Sequence, residues 1–146
     1  LDPQAVEINY QKVRSEKEKN ILPLLIDLRS PSPSIGWANQ ERQSLSQRGP
    51  ADLIMALALI HHLAIANNLP LSKISQYFSN LADWAIVEFV EKGDSQVQKL
   101  LAAREDIFAD YTREGFEKSF SKDFSIEAVE KIEASMRTLY LLRKLP

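Results

Sequence analysis

Apolar residues recur along this chain at two spacings, and the spacing changes from segment to segment. Val6, Tyr10 and Val13 fall at helical intervals and predict an amphipathic helix from residue 3 to about 18. Asp2 suits its N-cap, Pro3 its first turn, and Glu7 follows nearby, while Arg14 to Lys19 reads as a solvated helix end. The run ILPLLIDL, Ile21 to Leu28, has the continuous apolar character of a strand buried in a parallel sheet. Pro23 restricts that strand to its start or to a sheet edge. Pro31, Pro33 and Gly36 make Arg29 to Trp37 a loop, and Glu41 to Gln47 reads as a short helix stopped by Gly49-Pro50.

The second part of the chain alternates more regularly. ADLIMALALIHHLAIANNLPL, Ala51 to Leu71, predicts a strand from Asp52 to about Leu57, a helix from Ile60 to Ala66, and a turn at Asn67-Asn68. Ile74, Tyr77, Phe78 and Leu81 place a helix over 71–82, and DWAIVEFV supplies a strand from Ala85 to Val90. Val97, Leu100, Leu101, Arg104, Ile107 and Phe108 predict one long amphipathic helix, followed by another from Thr112 to Phe120. The tail reads as two strands, about 124–132 and 137–143, joined near Ala134-Ser135. This order predicts one α/β domain over 1–146, its sheet mostly parallel with a C-terminal antiparallel hairpin.

Composition narrows the chemistry. With 146 residues, 45% of them hydrophobic and 26% charged, the chain can bury a sizeable core. A net charge of −2 gives no broad attraction to nucleic acid or to anionic membranes. The absence of cysteine excludes disulfides, thiol nucleophiles and cysteine-ligated metals, and fits a cytoplasmic location. The apolar run through Leu53 to Leu59 is far too short to span a bilayer, and the acidic, polar first residues do not read as a secretory signal. Leu1 in place of Met suggests a removed upstream portion.

Several residues invite a functional reading. Asp27 stands at a predicted strand end, where ligands gather in open α/β sheets, or is a loop acid capping Ser30. His61 and His62 point about 100° apart on a helix, so they do not readily chelate one metal together, and no third ligand stands near; no metal is expected. One could act as a base or line a substrate pocket, or one packs under the sheet while the other meets solvent. Trp37 serves as a pocket wall or as an anchor. Glu88, inside AIVEFV, needs a partner or an opening; Arg137 and Lys131 are the partners to consider. Ala56 and Leu57 read simply as core packing.

Taken together, the strand order, Ala51-Asp52-Leu53-Ile54, the step Leu59-Ile60-His61-His62-Leu63 and the terminal hairpin resemble the class I S-adenosylmethionine-dependent methyltransferases. The phrases PSPSIGW and ER-SL--R are similar to a bacterial subgroup of nodulation-related methyltransferases. The resemblance makes Ala51 to Leu57 the family's fourth strand and Ala85 to Val90 its fifth. It implies a cofactor, S-adenosylmethionine, with Asp2 near its ribose hydroxyls, Asp27 and the adjoining Leu28 at its adenine, and Ala56 and Leu57 facing it through their backbone. His61, His62 and Trp37 would then border an unidentified methyl acceptor. In the family's D-x-D-P arrangement the ribose acid is the earlier one, which here would precede Leu1.

One departure from the family is large. The glycine-rich loop after the first strand is missing; the four glycines, at 36, 49, 93 and 115, are scattered. That loop lets backbone approach the cofactor, so the expected sheet is Rossmann-like but incomplete, lacking its first strand. The resemblance therefore implies a fragment of a methyltransferase, inactive by itself, expected to dimerise, swap strands or rearrange to close the gap. The alternative is a non-catalytic α/β interaction module that has lost the cofactor loop. Methyl transfer depends mainly on positioning, so the sequence designates no catalytic residue.

Overall fold

The computed structural model describes residues 2–146, and the chain divides into two compact units at the boundary between Leu45 and Ser46. In the first unit, helix α1 spans Pro3–Ser15. Its N-cap is Asp2, whose carboxylate accepts the Ala5 amide at 3.0 Å, and Lys12 and Arg14 in the last turn complement the helix dipole. The helix stops short of residue 18 because Lys17 enters the left-handed region, at φ 54°. None of its residues is buried.

The expected strand from Ile21 to Leu28 does not form. Residues 21–27 carry no regular secondary structure, and Ile21, Leu22, Leu24 and Leu25 are exposed. An apolar run becomes a strand only when a neighbour takes its amides and carbonyls, and Pro23 has no amide to give. The expected helix from Glu41 to Gln47 is also absent. The Ile35 carbonyl accepts the amides of Glu41 and Arg42, both at 3.1 Å, which closes a loop rather than a helix. Gly36 opens that loop at φ 92°, where a Cβ would collide with the side chain of Glu41. Only a single 3₁₀ turn, Ser46–Arg48, follows, within the second unit.

That second unit contains one four-stranded sheet. Strands β1 (Ala51–Ala56), β2 (Ala82–Val90), β3 (Phe124–Lys131) and β4 (Arg137–Lys144) lie in the order β1-β2-β4-β3. β1 and β2 are parallel; β4 is antiparallel to both β2 and β3. The sheet is thus mixed, with one parallel pair, and not mostly parallel as the pattern predicts. The terminal hairpin contributes two antiparallel pairings, and the run at 21–28 adds no parallel strand. The hairpin itself falls where expected, turning through Ala134 at φ 53°. The outer edge of β1 has no partner strand among the described residues.

The connections between strands are helical. A π-helix, His62–Ala66, and helix α2 (Leu71–Ser79) link β1 to β2; α3 (Ser95–Leu101) and α4 (Arg113–Phe120) link β2 to the hairpin. The helix predicted through Phe108 ends at Leu101 because the following residues are held individually. Arg104 donates to the Ile65 carbonyl and to Asn68, and Asp106 pairs with Lys92 and caps the Phe108 amide. The core lies on one face of the sheet, where Phe89 and Tyr140 meet Phe116 of α4 with ring centroids 5.1 and 4.7 Å apart. Phe116 also stacks on Phe120 at 4.2 Å. These side chains are fully buried, and the cluster ties α4 to the two central strands.

Candidate functional site

Loops at the C-terminal ends of parallel strands are where open α/β sheets gather ligands, and here β1 and β2 are the parallel pair. Beyond β1 the chain turns sharply. Ala56 is buried, Leu57 is exposed, and Ala58 adopts the left-handed conformation at φ 49°. The Ala58 amide donates to Glu88 Oε2 at 2.6 Å, from a residue near the C-terminal end of β2. Glu88 is 6% exposed, so a charged carboxylate is buried inside an apolar strand. Its other oxygen, Oε1, accepts from Arg137 at 3.0 Å, and Arg137 Nε donates to Asp94 at 3.2 Å.

This cluster joins β1, β2, β4 and the start of α3. Asp94 caps α3 by accepting the Gln96 amide at 2.8 Å. That amide, together with Arg137, holds the Asp94 carboxyl below the usual carboxylate range, against the opposing effect of burial. Glu88, in turn, raises the pKa of Arg137. Arg137 is one of the two partners considered for Glu88 from sequence. Neither Asp94 nor Ala58 stands out in the sequence, and alanine is not a left-handed former.

His61 begins the next element. It is 2% exposed, its ring lies 4.3 Å from that of His62, and its Nδ1 is buried without a hydrogen-bond partner. Burial pushes its pKa down from 6.5 to about 4, and the electrostatic influence of neighbouring His62 and Arg137 acts in the same direction, against that of Asp94 and Glu88. The imidazole is therefore neutral at pH 7. His62, in contrast, is exposed. This is the division between a packed and a solvated histidine that the sequence admits.

The segment after His61 is helical as expected, but it is a π-helix rather than an α-helix. Such helices are rare and are often found at functional sites. Side chains supply extra partners for its carbonyls: Asn67 donates to His62 at 2.6 Å, and Arg104 to Ile65.

His61 also makes stability pH-dependent. Its folded pKa lies below its unfolded one, so on acidification the unfolded chain binds the proton first and stability falls as pH drops from 6.5 toward about 4. Between about pH 7 and pH 4.5 this group should remove about 2.5 kcal/mol. Urea unfolding at both pH values should show wild type losing that much more than His61→Gln. Equal losses would remove His61 as the cause.

Ala56, Leu57, His61 and His62 are thus brought together around the tip of β1. The remaining predicted residues belong to the first unit. There the Asp2 carboxylate caps α1. Asp27 pairs with Arg29 at 2.7 Å and accepts its amide, and the hydrogen bonds from Arg29 hold its pKa down to about 2. Leu28 is half-buried beside it, and Trp37, on a 3₁₀ turn, is 85% exposed.

Two hollows lie elsewhere on the second unit. One, of about 330 Å³, separates the Asn68–Ser72 segment from Ile107, Phe108 and Tyr111. The other, of about 660 Å³, is at the opposite end of the strands, where Arg143 stands 5.5 Å over the Trp84 ring. Among the described residues no group of three His, Asp or Glu side chains is placed to hold a metal ion, and no helix is long and apolar enough to cross a membrane.

No family model matches this chain, and no solved structure matches it. It is similar to Nodulation protein NoeA of Rhizobium meliloti (strain 1021), with 43% identity over 144 residues. The match covers 99% of this chain and 30% of the length of that protein, in keeping with the nodulation-related part of the sequence resemblance.

Proposed function

We propose that this chain carries one half of the sheet of an S-adenosylmethionine-dependent methyltransferase, acting on an unidentified acceptor. The observation that carries the reading is the sheet order. β1 and β2 stand side by side and parallel, as the resemblance implies for the fourth and fifth strands, and the terminal hairpin forms the far edge. The unpaired edge of β1 lies where the family's first strand would pair, next to the tip occupied by Ala56 and Leu57. Because these two residues come from the fourth-strand tip, the cofactor would meet their backbone there. The cluster of Glu88, Asp94 and Arg137 would keep that backbone in place, and His61 and His62 would border the acceptor.

The proposed reaction asks for no activated nucleophile from the protein. The sulfonium of S-adenosylmethionine carries an already activated methyl group, so the protein's task is orientation and exclusion of water. The similarity to NoeA extends the proposal to a nodulation-related role.

Calorimetric titration of the full-length gene product with S-adenosylhomocysteine tests the reading, with saturable binding at micromolar ligand as the expected result. Absence of heat at high micromolar ligand would overturn it and favour the non-catalytic interaction module. The scattered glycines, at 36, 49, 93 and 115, are the observation that keeps this second reading in view.

A further inference from the structure

We propose that Glu88 is the positioning residue of the turn beyond β1, fixing Ala58 in its left-handed conformation and so setting the backbone from Ala56 to Leu59 for a ligand. Nothing in the local sequence does this. The segment ALALI contains no glycine, asparagine or aspartate, the residues that enter the left-handed region at little cost. Yet Ala58 sits there at φ 49°, and the group that takes its amide lies thirty residues away. A tertiary contact imposes the turn.

Geometry explains why the contact is firm. Glu88 projects from β2 with its carboxylate buried, and its two oxygens have different tasks. Oε2 accepts from Ala58 at 2.6 Å, and Oε1 is held at 3.0 Å by Arg137 of β4. Arg137 is itself braced by Asp94 at the start of α3. The carboxylate therefore has little freedom to rotate away from the Ala58 amide. A charged acceptor in a partly buried site also makes a stronger hydrogen bond than a neutral one.

The turn leads directly into His61 and the π-helix, so its conformation governs where that segment starts. Sites work best when the residues around them leave the backbone one conformation. The ligand part of this inference rests on the methyltransferase reading; the conformational part does not.

The test uses the full-length gene product, with hydrogen exchange read at single-amide resolution and titration with S-adenosylhomocysteine. Glu88→Ala should speed exchange of the Ala58 amide by about 10- to 100-fold, and weaken ligand binding by a similar factor, while amides of β2 and β4 stay protected. Glu88→Gln keeps an oxygen acceptor and should retain part of both. It also serves as the informative variant if Glu88→Ala does not fold, and unchanged Ala58 exchange in a folded variant overturns the proposal.

Faster Ala58 exchange with unchanged affinity would leave Glu88 a structural residue and overturn the positioning role. If the wild-type protein does not bind the ligand but Ala58 still responds, the methyltransferase reading fails and the control of the turn by Glu88 stands.

Discussion

Phe116→Ala is expected to lower the free energy of unfolding by about 3–5 kcal/mol, the range for deleting a fully buried phenylalanine. Phe116 is in ring contact with Phe89, Phe120 and Tyr140, which belong to β2, α4 and β4. Truncation would leave a cavity bordered by three rings whose backbones are held in a sheet and a helix, so little collapse can fill it. Denaturant unfolding measures the loss directly. Val129→Ala, on the exposed edge strand, serves as the comparison and should change stability by no more than about 0.5 kcal/mol. A loss below about 1.5 kcal/mol for Phe116→Ala would mean that this cluster is not the centre of the core.

The second large effect is electrostatic. Arg137→Met should cost about 2–4 kcal/mol, because it leaves Glu88 charged and buried with no cation beside it. The arginine side chain is 28% exposed, against 7% for Glu88, so solvent screens part of the interaction and the upper end of that range is a ceiling. The pair Arg113–Glu117 on α4 provides the contrast: its partners are half-exposed, and Arg113→Met should cost less than about 1 kcal/mol.

A double variant, Glu88→Gln with Arg137→Met, should recover part of the loss, since the uncompensated charge is then gone. If the double variant is as unstable as the sum of the two single ones, the charge account is wrong and packing of the arginine stem explains the cost.

Much of the second unit was legible from periodicity. The segments at 52–57, 85–90, 124–132 and 137–143 combine β-branched or aromatic residues with turn signals on either side, and each forms most of a strand. The pairing of Glu88 with Arg137 was foreseeable from chemistry, because a carboxylate within AIVEFV demands a partner.

The failures share one cause. ILPLLIDL has the composition of a buried strand but no neighbour to pair with among the described residues, and Ile107 with Phe108 continues a helical pattern that Arg104 and Asp106 interrupt with side-chain bonds. In both segments the apolar pattern is genuine, but long-range contacts decide what becomes of the backbone.

The candidate site divides in the same way. Residue order alone specifies which side chains flank the strand tips: a small Ala56, two adjacent histidines, an acid inside β2 and an arginine opening β4. It also specifies the apolar spacing of α2, the place of α4 and the terminal hairpin, because those are local features. That β4 lies between β2 and β3, that the sheet has a single parallel pair and that Ala58 is left-handed all follow from long-range packing. Those features depend on partners far away in the chain. Sequence spacing constrains the direction in which a side chain points, but the group it meets is decided by which strands come to lie side by side.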